Sequence, residues 1–281
     1  MLELEERKIK ERDFHNTHRL VTEDAGVAET RWSPELEVTI QKNPAWANMK
    51  YYAIERLSRN FILDWYSKNV KGKVVLDYCC GNGEDGMLIA KAGAQKVIGI
   101  DISDVSIENS HNLAVANGVG DIVEHRVADA ENTGFPDNTF DIITEYGCLH
   151  HLDLSRAIPE LARVLKPDGK LIGDEALAHN IIIHTYRKLT PHLRTEWEVD
   201  HILRRKDFKL MENYFGKVDL RFYYLFSILA VPFRNTFFFK PLLWVLELMD
   251  SVVLKIPGIR WQAWQVVLIL SEPKKDKLVK A

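Results

Sequence analysis

The chain has 281 residues, 46% of them hydrophobic and 27% charged, with a net charge of -3. That length can bury one large core, or a core with a cap, and the weakly negative balance excludes a global attraction to nucleic acid or to anionic membranes. Three cysteines, Cys79 and Cys80 side by side and Cys148 far off, make neither a disulfide framework nor a zinc ligand set, so reduced thiols in a cytoplasmic protein are expected.

The opening MLELEERKIKERDF is too charged for the apolar part of a signal peptide. No charge-free run approaches the roughly 20 residues of a spanning helix. Leu2 to Phe14 is charged at most positions and reads as a solvated or frayed helix. Gly26 to Pro44 is turn-rich, with Trp32 and Trp46 as its large apolar anchors. Apolar residues then return at helical spacing in Ile54, Leu57, Phe61, Ile62 and Trp65. Tyr51, Tyr52 and Arg56 at the start of that helix either close over a ligand or pack against the core. Residues 1–70 are thus expected to form a helical cap ahead of a domain over 71–281.

That domain opens on KVVLDYCCGNGEDG, where a β-branched run reaches Asp77 and breaks into a glycine loop that starts a helix, Glu84 to Lys91. Gly81, Gly83 and Gly86 spell the G-x-G-x-x-G of dinucleotide sites, a weak signal taken alone. A diphosphate on this turn meets Asp77, Glu84 and Asp85, with no Lys or Arg between Lys73 and Lys91 to offset them. A guest with a cationic end fits better, and S-adenosylmethionine, an ammonium and a sulfonium without phosphate, is the candidate; NAD is the weaker alternative.

Next, KVIGID is a second buried strand ending in Asp101, roughly 20 residues past the glycine turn, where an acid grips a ribose diol. Ser103, directly before the segment Asp104 to Asn117, is the better helix cap. A third strand, Ile122 to Val127, leads to Asp129 and the small Ala130, suited to an amine and a flat ring. The fourth, Phe140 to Thr144, runs into Glu145 and the polar Tyr146-Gly147-Cys148-Leu149-His150-His151. An amphipathic helix follows on Leu154, Ile158, Leu161 and Leu165, with Pro159 near its first turn, and KLIGDEAL is the fifth strand. Strand and helix alternating over Lys73 to Leu177 make a parallel sheet whose ligands sit at the strand carboxyl ends. Asp77, Asp101, Asp129, Glu145 and Glu175 all fall there, as a negative trough.

LDYCCGNGE, GIDIS, VADAENTGFPDNTFDII, LHHLD and ARVLKPDGKLI, in this order and spacing, resemble the class I S-adenosylmethionine-dependent methyltransferases of the small-molecule type, over Lys73 to Ala176. The resemblance implies a Rossmann-like α/β fold with a seven-stranded, mostly parallel sheet flanked by helices, its last strand antiparallel. It also implies cofactor contacts from Asp77, Gly81 and Gly83 in the loop, Asp101 and Ile102 at the ribose, Asp129 and Ala130 at the adenine, and Glu145 beside the methionine moiety. Cys79 stands where the family places its first loop glycine.

Methyl transfer needs alignment and exclusion of water, with a general base only when the acceptor arrives protonated. His150 and His151 are the candidates for that base, with Glu175 and His179 behind them. No metal is expected. Downstream, Asp207 to Tyr214 reads as a helix, and KVDLRFYY and WQVVLILS as the last two strands. Two stretches exceed that core, at 178–204 and 225–263, and both read as acceptor-side additions. The first is basic, with Arg187, Lys188 and Arg194 either solvated or facing an anionic group on the acceptor. In the second, Leu242, Leu246, Met249 and Val253 form a stripe interrupted by Glu247 and Asp250. That helix packs on its own domain or lies in a membrane interface beside Phe237, Phe238, Phe239 and Lys240. The expected partner is therefore a small-molecule acceptor, hydrophobic or lipid-linked, with no nucleic acid, since basic residues and aromatics do not interleave. A module that binds the cofactor without catalysis is the competing reading.

Overall fold

Short β-branched runs that end in acids, each followed by an amphipathic helix, fold here as the alternation dictates. The computed structural model describes residues 4–19, 34–42 and 44–280. Its helices and strands are, in chain order, α1 (Glu6–His18), α2 (Pro34–Lys42), α3 (Arg56–Asn69), β1 (Val74–Tyr78), α4 (Glu84–Lys91), β2 (Lys96–Asp101), α5 (Asp104–Ala116), β3 (Val123–Val127), β4 (Phe140–Tyr146), α6 (Leu154–Val164), β5 (Leu165–Ala176), α7 (Ile181–Leu189), α8 (Glu196–His201), α9 (Arg205–Tyr214), β6 (Phe215–Tyr223), α10 (Phe239–Val253) and β7 (Gln265–Pro273). A 3-10 segment, Pro44–Ala53, precedes α3, and a short one, Leu149–His151, follows β4.

The strands form one seven-stranded sheet in the order β3-β2-β1-β4-β5-β7-β6. β1 pairs in parallel with β2 and β4, and β7 runs antiparallel to both β5 and β6. Successive side chains alternate between the two faces of the sheet. Leu76 and Tyr78 enter one core with Phe140, Ile158 and Leu161, under α6 and α9. Val75 enters the other with Ile62, Ile89 and Leu113, under α3, α4 and α5. A third cluster, with Ile54, Tyr224, Ile228, Leu243 and Trp264, joins the stretch 225–263 to the start of α3.

The strand order reverses at β1, with β2 on one side of it and β4 on the other, and this opens a crevice at the carboxyl ends, which is where this topology takes ligands. Ser103 caps α5 as expected, accepting from the Ser106 N–H at 3.0 Å.

Several elements depart from the sequence reading. The stretch read as turns contains α2; Trp32 lies outside the described residues, and so does the side chain of Trp46. The first helix forms, but it is not solvated: Lys8 and Glu11 are 4% and 5% exposed, because the helix lies across the sheet's carboxyl edge. β4 runs two residues further than expected and carries Glu145 inside the strand. Pro159 sits in the second turn of α6 rather than the first.

The interrupted stripe of α10 is also inverted. Its acids Glu247 and Asp250 face inward, at 6% and 5% exposure, while Trp244, Val245, Leu248, Met249 and Val252 face solvent. The acids are inside because they have work there. Glu247 pairs with Arg56, and Asp250 accepts from the N–H groups of Leu225, Phe226 and Ser227 at 3.2, 2.7 and 3.2 Å. Buried backbone donors must find partners, and one carboxylate here serves three.

Candidate active site

Each strand of the parallel half delivers an acid to the same rim. At the end of β1, Asp77 is 4% exposed and its Oδ2 accepts the Gly86 N–H at 2.9 Å. Burial, and then its neighbour Asp85, push its carboxyl well above the usual range. It ties β1 to the first turn of α4. Gly83 caps α4 in the left-handed region, φ +85°, and a Cβ there would lie 2.6 Å from the Ser110 Cβ. Glycine is required on both counts. Gly81 lies beneath the Arg19 guanidinium. Cys79 keeps the left-handed backbone of the glycine it replaces, φ +55°, and its side chain faces the cleft.

Asp101, at the end of β2, accepts the N–H of Ser103 at 2.9 Å on Oδ1 and that of Gly81 at 3.0 Å on Oδ2. Two backbone donors fix the carboxylate plane. At the end of β3, Asp129 Oδ1 accepts the Glu131 N–H at 2.9 Å, and the Ala130 carbonyl accepts from the buried Tyr78 hydroxyl at 2.6 Å. Asp101, Asp129, Ala130 and Glu131 line a cleft, together with Ile102, Cys79, Tyr146, Gly147, Cys148 and His151. Of the sequence candidates, Asp101, Ile102, Asp129, Ala130 and His151 line it. Asp77, Gly81, Gly83, Glu145 and His150 do not line it, and Glu145 is 2% exposed.

The reading of the rim as an uncompensated negative trough needs correction, because cations arrive from helices far away in sequence. Arg59 of α3 forms a buried ion pair with Asp85. Arg19, just past α1, lies 3.5 Å from Asp101. Lys8 of α1 bonds Asp129 at 2.7 Å and Glu131 at 2.8 Å. Arg7 pairs with Glu131 and donates to the His151 carbonyl at 3.0 Å. The charges that hold α1 down are thus the rim acids themselves, and α1 roofs the cleft. Arg56 and Tyr51 do not join that roof: Arg56 pairs with Glu247 of α10, and Tyr51 packs against Tyr186 and Trp264.

Behind the cleft is a linked set of groups. Glu145 fits because residue 173 is glycine: a Cβ there would lie 1.8 Å from the Glu145 Oε1. Burial, and then the Glu175 carboxylate, push the Glu145 carboxyl well above its usual range. Glu175, 1% exposed, accepts the Leu149 N–H and bonds His150 Nδ1 at 2.7 Å. Burial alone would lower His150, but the Glu175 carboxylate outweighs it and holds the imidazole above its ordinary value. Burial alone would likewise raise Glu175, and His150 holds it below the usual range. His151 is bonded differently, its Nδ1 lying 3.0 Å from Glu11 Oε2 of α1. The donor atoms of Glu11, His15 and His151 all lie within 4.8 Å of one another, a set of the kind that takes a borderline divalent ion, which the spacing of the sequence does not show.

The donor set suits S-adenosylmethionine. A carboxylate held by backbone donors sits at the end of β2, an acid and a small residue at the end of β3, and further buried acids at the ends of β1, β4 and β5. Comparison with known proteins agrees. Residues 76–173 match the family model "Methyltransferase domain". The chain is 39% identical over 105 residues to 27-O-demethylrifamycin SV methyltransferase of Amycolatopsis mediterranei, covering 37% of this chain and 39% of that protein. It is 34% identical over 125 residues to demethylmenaquinone methyltransferase of Symbiobacterium thermophilum, covering 43% and 49%. The chain thus spans less than half the length of these curated relatives. Among solved structures, geranyl diphosphate C-methyltransferase from Streptomyces coelicolor A3(2) has the same fold over 97% of this chain and all of that one, with a TM-score of 0.61 at 13% identity. Residues 76–173 thus match a methyltransferase domain, in keeping with the motifs that resemble the class I S-adenosylmethionine-dependent methyltransferases.

A buried carboxyl held protonated has a visible cost. Unfolding releases the Glu145 proton at any pH above the ordinary carboxyl range, so the wild type loses stability as pH rises from about 5 toward the raised folded value. Glu145→Gln removes that loss. Its stability in urea is expected to match the wild type near pH 5 and to exceed it increasingly toward pH 8, and parallel curves would show that Glu145 is ionised in the folded protein.

Proposed function

We propose that the protein transfers the methyl group of S-adenosylmethionine to a small-molecule acceptor, and that His150, positioned by Glu175, is the general base. One observation carries this reading: a histidine bonded at 2.7 Å to a buried carboxylate, on the turn that follows β4 and next in the chain to His151, which lines the cleft. The bound cofactor supplies a methyl already activated by sulfonium. In this reading Asp101 and Ile102 hold the ribose, Asp129 and Ala130 the adenine, and Asp77, Gly81 and Gly83 keep the loop open for close approach. Glu145, protonated, donates toward the amino-acid end. Residues 1–70 act as a cap that keeps water out, and the additions at 178–204 and 225–263 form the acceptor side.

His150 takes the role over His151 because Glu175 fixes one nitrogen of its ring and leaves the other to receive a proton. The same carboxylate stabilises the imidazolium once it forms. The relatives are named for acting on demethylrifamycin and demethylmenaquinone, and these names support a small organic acceptor.

The acceptor side favours a hydrophobic or lipid-linked acceptor taken from a membrane surface. Trp244, Val245, Leu248, Met249 and Val252 are exposed along α10, with Phe237 and Phe238 just ahead of it. Among the exposed residues of 232–259 the charges are Lys240 and Lys255, with no acid. An apolar face flanked by lysines and stripped of carboxylates suits a bilayer interface with anionic headgroups. No helix among the described residues is long and apolar enough to cross a membrane, so the contact is peripheral, on the cytoplasmic side.

Two outcomes are expected. Turnover of the wild type rises with pH through a limb above the ordinary imidazole value of about 6.5, because only neutral His150 accepts a proton. The stability supplied by its pair with Glu175 declines over the same window, since a raised histidine is stabilising below its unfolded pKa and loses that contribution as pH rises through the folded one. His150→Gln lowers turnover by about a hundredfold or more and abolishes the limb while cofactor affinity is unchanged; a normal pH–rate profile in this variant removes His150 from the mechanism. In co-sedimentation, vesicles containing phosphatidylglycerol are expected to retain the wild type and to lose most of a Trp244→Glu/Leu248→Glu variant. Equal recovery of both in the supernatant rules out the membrane contact.

A further inference from the structure

The stretch 178–204 gathers more positive charge near His150 than its acids offset. Arg194 Nε lies 3.2 Å from Glu198 Oε1 without forming a hydrogen bond to it, and its Nη1 donates to Thr190. Glu198 is therefore spoken for. Its carboxylate, with the ring nitrogens of His150 and His151, falls in a group of donor atoms all within 4.8 Å of one another. The Arg194 guanidinium thus stands one carboxylate away from the base.

Two further cations at this place have no carboxylate partner among the described residues. Arg187, in the last turn of α7, donates to the Leu177 carbonyl at 3.3 Å and makes no ion pair. Lys50, from the 3-10 segment, lies 4.2 Å from the centre of the Tyr186 ring and 5.3 Å from that of Tyr51. Arg194 lies 5.7 Å from the same Tyr186 ring, so two cations share one aromatic side chain, and Arg187 follows it in the chain. Burial, and then Arg194, bring the Arg187 guanidinium down to about 10, which reports a cation short of negative charge. The other charges acting on it are Glu198, bound to Arg194, and Glu175, bound to His150.

An isolated desolvated guanidinium is costly, and a protein keeps one where a ligand supplies the counter-charge. We infer that Arg187 and Lys50, with Arg194 behind them, hold an oxyanion, phosphate or carboxylate, carried by the methyl acceptor, so that its reacting atom comes within reach of His150. The inference rests on the methyl-transfer reading for the word acceptor; the anion site stands on its own residues. With the apolar face of α10, it makes the acceptor amphiphilic: a charged group anchored at Arg187, and an apolar portion.

Calorimetry on the full chain at low salt, with inorganic pyrophosphate, inorganic phosphate and benzoate as probes, tests this with and without saturating S-adenosylhomocysteine. One probe or more is expected to bind at a single site, and to bind at least tenfold more weakly to Arg187→Met and to Lys50→Met. Lys217→Met, at a lysine paired with Asp219 on β6, is expected to match the wild type. Preference for a phosphate probe or for benzoate identifies which oxyanion the site takes. The melting temperature guards against misfolding: Arg187→Met should melt at or above the wild-type temperature, since it removes an unpaired cation, and the probe should raise only the wild type. No saturable binding by the wild type, or unchanged affinity in Arg187→Met, overturns the anion site. Probe binding by a protein that does not bind S-adenosylhomocysteine keeps the site and overturns the methyl-transfer reading instead.

Discussion

Five carboxylates end on one rim of a parallel sheet, and all but Asp129 are nearly sealed from water. Removing a carboxylate from water is prohibitive unless it is paired, hydrogen-bonded or protonated, and most of the architecture around the cleft meets that requirement. Asp77 takes a backbone donor of α4, and Asp101 takes two from neighbouring loops. Asp129 takes Lys8, Glu175 takes His150, and the Glu145 carboxyl is pushed well above its usual range.

The roof follows from the same constraint. α1 is polar along most of its length, and a helix of that composition has little apolar surface to bury. It docks because Arg7 and Lys8 find Glu131 and Asp129, and because Asn16 and Arg19 reach the start of α5 through Ser103 and Ser106. The base has a similar origin. Glu175 is sealed under the turn after β4, His150 is the cation that answers it, and so the histidine is oriented before any acceptor arrives. Where the counter-charge is missing, at Arg187 and Lys50, the imbalance marks the place of a ligand.

Much of this was legible in the chain. Acids that terminate β-branched runs are local features, so the strands, their order of appearance, Asp77, Asp101, Asp129 and the caps of the following helices could be read directly. The antiparallel seventh strand came with the family resemblance rather than from periodicity. What local sequence could not show is who pairs with whom. The loop between Lys73 and Lys91 lacks a cation, yet Arg59 and Arg19 reach it from outside, and their charge weakens the repulsion argument on which phosphate was set aside. α1 read as solvated because its partners lie far along the chain, none of the hydrogen bonds that dock it spanning fewer than 87 residues. Glu247 and Asp250 read only as interruptions of the α10 stripe because Arg56 and the backbone donors at 225–227 are invisible until the chain folds. His150 and His151 are neighbours in sequence, and only their separate carboxylates, Glu175 and Glu11, tell them apart.

The central claim is that this rim, with its acids compensated from outside, receives a cofactor that brings positive charge and no phosphate. Equilibrium binding of labelled S-adenosylmethionine, competed with NADH and repeated on Asp101→Ala, tests it most directly. The account predicts one site per chain, no displacement by NADH, and affinity about tenfold lower in the variant. Displacement by NADH, or undiminished affinity in Asp101→Ala, would contradict it.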